Sequence, residues 1–223
     1  PGGKIERDDN GDPSGVLIDS AMYLLTKHIP IADESALIAQ LDAATQHLLS
    51  LGVTSMHDAG INQNVYNFYI KSAQQRKLGI RIYAMLSAVD PQIEAMLKAG
   101  YINDQNDFLS IRSVKGYGDG ALGSRGAALL PPYADDPNNS GLLLTQEYQL
   151  KPLFDLVISN KFQLNFHAIG DRANRLALDQ FAETFKRIGG KDLRHRIEHA
   201  QVVSLDDIPR FKQLNIIPAM QPA

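Results

Sequence analysis

The stretch Phe162-Gln163-Leu164-Asn165-Phe166-His167-Ala168-Ile169-Gly170-Asp171-Arg172-Ala173 decides the fold class. Phe162 to His167 is a short, mostly apolar run of strand character. It ends on a histidine, with Gly170 permitting a tight turn. Asp171 then reads as the cap of a helix running to about Ile188. The pattern repeats at once. His195 to His199 reads as a strand ending on a second histidine, Ser204 as the cap of a helix to about Leu214, and Ile216 to Met220 as another strand.

Working backwards, the same alternation fills the chain. Asp33 caps a helix from Glu34 to about Ser50, followed by a strand at Val53–Asp58. A helix at Val65–Leu78 leads to a strand at Ile80–Val89, and Asp90-Pro91 opens a helix ending at Gly100. Leu109–Tyr117 is the next strand. A long loop, 118–141, precedes a helix from Thr145 to about Asn160, and Pro1 to Gly15 reads as irregular. The strands are apolar on both faces, as in a parallel sheet buried under helices, which leaves a barrel or a doubly wound sheet.

The 223 residues suffice for one large domain, so 1–223 is taken as a single unit. Hydrophobic residues make up 44% and charged residues 21%, an ordinary soluble balance. A net charge of -3 gives no basic footprint for nucleic acid. Cysteine is absent, so a metal would be held by His, carboxylate or modified Lys. No apolar run reaches the roughly 20 residues of a membrane span. A cytoplasmic location is expected, with the native N-terminus lying before Pro1. There is no Gly-x-Ser-x-Gly elbow and no Gly-rich phosphate loop.

Several motifs together carry a resemblance. They are Gly11-Asp12-Pro13-Ser14-Gly15-Val16-Leu17, Leu51-Gly52-Val53-Thr54-Ser55-Met56-His57-Asp58-Ala59-Gly60, and Val114-Lys115-Gly116-Tyr117-Gly118-Asp119-Gly120-Ala121-Leu122-Gly123-Ser124-Arg125. The His167 and His199 motifs and Gln221-Pro222 follow in order. The chain resembles the amidohydrolase superfamily, in particular its YtcJ-like branch. The resemblance implies a TIM-type (β/α)8 barrel. Six of the eight βα units are found, so the chain is expected to be a partial barrel lacking the first and last strands, cut from a larger parent.

The resemblance also implies a chemistry: a metal-dependent hydrolase that cleaves a C–N bond of a small amide-like substrate with metal-activated water. The cofactor expected is a divalent metal, zinc by preference, with one or two ions in the parent. His167 and His199 carry over as metal ligands, against the plain alternative of buried histidines bonded to backbone. Lys115 carries over as a ligand that carbon dioxide can carbamylate. A lysine reacts as the free amine, which burial favours. Asp119 and Arg125 are candidates for substrate contact or are solvated loop charges. His57 and Asp58 either line the site or form a structural pair. His195 is read as structural, and Glu198 as pairing with Arg172 or another neighbouring charge. His28 and His47 are read as surface residues. The pattern His195-x-x-Glu198-His199 is not a helical metal motif, because the segment reads as strand. In a strand His195, Ile197 and His199 share a face.

Two parts of the superfamily pattern do not occur: a His-x-His pair and a final-strand aspartate that shuttles protons. The polypeptide itself is therefore expected to be inactive, or else a non-catalytic barrel remnant that acts as a binding module. Two open sheet edges predict self-association.

Overall fold

The computed structural model describes residues 2–221. In chain order the elements are β1 (Gly3–Arg7), β2 (Pro13–Asp19), α1 (Tyr23–Thr26), α2 (Glu34–Ser50), β3 (Ser55–Ile61), α3 (Gln63–Gln74), β4 (Arg81–Ser87), α4 (Ile93–Lys98), β5 (Ile102–Asn103), β6 (Leu109–Tyr117), α5 (Glu147–Ser159), β7 (Gln163–Ala168), α6 (Asp171–Ile188), β8 (Arg196–His199), α7 (Ile208–Leu214) and β9 (Ile217–Ala219). The class is α/β, with the βα alternation of a partial TIM-type (β/α)8 barrel. Two compact units divide the chain. Pro30–Gly116 forms one; the residues up to Ile29 and those from Tyr117 onward form the other.

In the Pro30–Gly116 unit, β3 pairs parallel with β4 and β4 with β6, in a register that sets Ser87 opposite Lys115. The two-residue β5 adds antiparallel to β6. Ile80, Ile82, Ala84, Met85, Leu86, Ile111 and Val114 are 2% exposed or less, so β4 and β6 are buried on both faces over much of their length, while β3 buries only Ile61 fully. Helix starts follow local chemistry. The Asp33 carboxylate accepts from Ala36 N at 2.8 Å, and the Asn62 side chain accepts from Val65 N at 3.0 Å. The helix expected to open at Asp90-Pro91 begins later, at Ile93. The Asp90 carboxylate instead accepts from Gln92 N and from Gln63 N, tying two successive βα turns together.

In the other unit, β7 pairs parallel with β8 and β8 with β9. Phe154 of α5 meets Phe166 of β7 and Phe181 of α6 edge-on, with centroids 5.2 and 4.7 Å apart, and all three rings are buried. These rings hold helices to strand through the hydrophobic term, roughly 1.5–3 kcal/mol for each large side chain buried. The segment read as irregular, Pro1 to Gly15, departs from that expectation. Its described residues enter an antiparallel hairpin, β1 with β2, which sets Gly3 opposite Asp19. The turn is made by the Asp8 carboxylate, which accepts from Asn10 N and Asp12 N at 2.9 Å, and by Gly11 at φ 86°. Charged and turn-forming residues hid this hairpin from a pattern search.

Two expected caps are corrected. α6 starts at Asp171 with Gly170 as its N-cap, and the Asp171 carboxylate accepts from Leu130 N of the long loop at 2.8 Å. α7 is capped at Asp207 rather than Ser204. Asp207 is 2% exposed and pairs with the partly exposed Arg175 and Arg210, so a buried carboxylate held by two arginines fixes that start.

Candidate functional site

The two histidines that end β7 and β8 meet. Their ring centroids lie 4.6 Å apart, with the planes at 70°. The register alone would not bring them together. His167 stands opposite Glu198, and His199 opposite Ala168, so strict alternation points the two rings to opposite faces. The backbone corrects this. His199 has φ 77° and Ala200 φ 43°, two successive non-glycine residues in the left-handed region. Such positions cost on the order of 1–3 kcal/mol each and persist only where surroundings hold them. The turn carries the His199 ring off the face it would share with Ile197 and sets it against His167. The expectation that His195, Ile197 and His199 share one face therefore fails at its last residue.

Asp119 holds the other side. It is fully buried, and its two carboxylate oxygens accept from Ile169 N (2.9 Å), Gly170 N (2.8 Å) and Ala128 N (2.8 Å). One oxygen lies 3.5 Å from His167 Nε2. Burial pushes this carboxyl up to about 6, against the opposing pull of the three amides, and the nearby Asp19 adds to the rise. With no exposed surface, Asp119 is not a solvated loop charge; it buttresses the turn after His167. Gly170 belongs to the same joint. Its backbone is ordinary, but a Cβ there would lie 1.9 Å from the Ala128 carbonyl oxygen. Close approach, rather than turn geometry, is why glycine sits there.

The remaining candidates fall elsewhere. Arg125 is exposed, has φ 53° and pairs with Asp135 at 2.7 Å. It lines a polar pocket of about 360 Å³ with Lys4, Glu6, Ser124 and Asp136, and neither His167 nor His199 is among the lining residues. Lys115 is 6% exposed within β6, and its carbonyl accepts from Ala88 N. His57 is exposed on β3 with its ring 5.0 Å from Tyr83, while Asp58 accepts from the Tyr69 hydroxyl at 2.7 Å. His28 and His47 are exposed. His195 is structural: it is fully buried, accepts from Leu164 N at Nδ1 (2.9 Å), lies 3.0 Å from the Gly190 carbonyl at Nε2, and packs on Phe181 and Phe185. Burial lowers it to about 4, so it stays neutral. Glu198 pairs with Arg196, its neighbour two residues back, and Arg172 pairs with Glu147.

Two further residues serve the histidines. Gln221 Oε1 lies 3.0 Å from His199 Nδ1; donation from Nδ1 leaves the Nε2 lone pair as the imidazole's metal-binding side. Asn174, fully buried in the first turn of α6, reaches the loops that follow both histidines. Its sequence signal is slight: a polar residue on the buried face of a helix. The donor set fits a divalent metal in part, as two imidazoles side by side. Among the described residues no group of three or more His, Cys, Asp or Glu converges to complete it.

The model of the amidohydrolase family matches residues 1–223. The chain belongs to the amidohydrolase family. It is 30% identical to Protein LONG AFTER FAR-RED 3 of Arabidopsis thaliana, over 99% of this chain and 40% of that protein. It is 29% identical to the putative amidohydrolase YtcJ of Bacillus subtilis, over 99% of this chain and 41% of that one. The crystal structure of an uncharacterized metal-dependent hydrolase from Pyrococcus furiosus aligns with TM-score 0.77 and 26% identity, over 96% of this chain and 44% of that chain. A Pyrococcus horikoshii counterpart gives TM-score 0.78 and 27% identity, over 96% and 43%. The chain thus spans about 40% of the length of the curated relatives it matches.

Proposed function

We propose that this chain forms part of a metal-dependent hydrolase that cleaves the C–N bond of a small amide-like substrate. One observation carries the reading: two imidazoles at the ends of adjacent parallel strands, brought ring to ring by a strained turn. The C-terminal ends of barrel strands are where enzymes of this architecture hold working groups. The amidohydrolase family and two metal-dependent hydrolase neighbours support the same class.

His167 and His199 would hold a divalent ion, zinc being the metal that suits neutral imidazole in a tetrahedral set. When bound, such an ion lowers the pKa of its water and polarises a carbonyl. Gln221 fixes the His199 ring, and Asp119 fixes the turn that follows His167. The reading assigns Lys115, carbamylated, as a further ligand, and Arg125 and His57 as substrate contacts in the whole protein. It also takes the chain to self-associate, because β3 and β9 each pair on one side only among the described strands.

Metal content of chelator-free protein, measured by mass spectrometry, tests the site. Near-stoichiometric zinc or another transition metal, lost in His167→Ala and in His199→Ala, supports the assignment. A metal-free wild type that takes up none on addition would overturn it and favour a non-catalytic barrel domain.

A further inference from the structure

The loops after β7 and β8 are joined by more than the two rings. Ala200 N donates to the Ala168 carbonyl at 3.1 Å, and Val202 N to the Ile169 carbonyl at 2.9 Å. Asn174 sits where these rungs end. Its amide nitrogen lies 3.1 Å from the Ala168 carbonyl oxygen, 3.4 Å from that of Ile169, 2.9 Å from that of Gly170 and 3.2 Å from that of Val202. Three of these carbonyls follow His167 and the fourth follows His199. A single side chain with no exposed surface thus spans both loops.

From this geometry we infer that Asn174 is a positioning residue: it holds the left-handed turn at His199 and Ala200 in place, and so sets the metal affinity of the His167–His199 pair. The inference rests on the metal reading above and names what maintains it. The turn costs free energy and stands only while its neighbours over-determine it. The two rungs between the loops are ordinary backbone bonds, each of modest net strength. Asn174 adds a side-chain tie from the helix that follows His167 to Val202, three residues after His199, whereas the Arg175–Asp207 pair from the same helix meets that loop only at its far end. Without it the His199 backbone is able to relax toward extended geometry, and the ring returns to the face of Ile197. A metal held by both rings then loses one ligand, while the fold keeps its core.

Asn174→Ser separates the roles. Its hydroxyl reaches back to the carbonyl of Gly170, four residues earlier, but is too short for Val202, so the helix start is kept and the tie between loops is cut. Two measurements are made on the full chain. In the metal-free protein, nuclear Overhauser contacts between the His167 and His199 ring protons report ring placement directly. In parallel, zinc affinity is measured by competition with a chelating dye for wild type, Asn174→Ser, His199→Ala and the double variant.

The expected result is a ring–ring contact present in the wild type and lost in Asn174→Ser. Zinc affinity falls by tenfold or more, within the range for residues that orient metal ligands. In the His199→Ala background Asn174→Ser has no further effect, because the group it acts through is gone. If Asn174→Ser keeps the ring contact, or weakens zinc equally with and without His199, the inference is overturned. A wild type that shows the ring contact and binds no zinc overturns the metal reading alone. Asn174→Ala serves as the stronger lesion, with the dispersed amide spectrum confirming that each variant is folded.

Discussion

At the residue scale, two buried titratable groups of the same unit carry opposite pH signatures. His195 is held near 4, below its ordinary value of 6.5. Between those values the unfolded chain binds the extra proton, so His195 contributes stability that is present above 6.5 and lost as pH falls through 4. Asp119 is held near 6, above its ordinary 3.8. The folded chain binds the extra proton there, so its contribution is full below 3.8 and is lost as pH rises through 6. Each effect is on the order of 3 kcal/mol. Relative to wild type, His195→Phe should therefore gain stability between pH 7 and pH 4, and Asp119→Asn should lose it. Urea unfolding at several pH values reads both differences; curves parallel to wild type in either variant would contradict these environments.

At the element scale, the site depends on how α5 and α6 pack on β7. Phe154 fills the space between Phe166 and Phe181 and has no exposed surface. Truncation to alanine should cost about 3–5 kcal/mol of unfolding free energy, measured by chemical denaturation. Gly170→Ala acts through a different mechanism. The added methyl meets the Ala128 carbonyl oxygen at 1.9 Å, so either the long loop or the β7–α6 turn must shift. We expect this variant to remain folded while its zinc content drops, because the displaced turn follows directly on His167. Full zinc content in Gly170→Ala would show that the joint does not control the histidine.

At the scale of the whole molecule, the end strands matter. β3 pairs only with β4, and β9 only with β8, among the described strands. Ile29 and Ile31 are 65% and 83% exposed. Unpaired edges and exposed apolar side chains favour association between chains. Analytical ultracentrifugation over a hundredfold range of concentration should show a sedimentation coefficient that rises with loading. A constant monomer value throughout would refute the self-association proposal. Among the described residues no helix is long and apolar enough to cross a membrane.

Much of this was legible in the chain itself. The βα alternation, the apolar strands and the two strand-ending histidines follow from local periodicity and turn chemistry, which any short window of residues contains. So does the structural role of His195, read from its place at a strand start; that burial keeps it neutral was shown only by the packing. The hairpin at the N-terminal end was not legible, because its pairing is non-local and its sequence is dominated by turn formers. Nor was the site's internal logic. Register fixes which face each side chain takes, and the register of β7 against β8 sets the two histidines apart; only the backbone outliers at His199 and Ala200 reunite them. The duties of Asp119 and Asn174 depend on carbonyl and amide groups tens of residues away, such as Ile169 and Val202. The sequence by itself determined which groups the chain could offer to a metal and on which strands. The tertiary structure alone decided which of them meet, because burial, register and close backbone approach are properties of the packed chain.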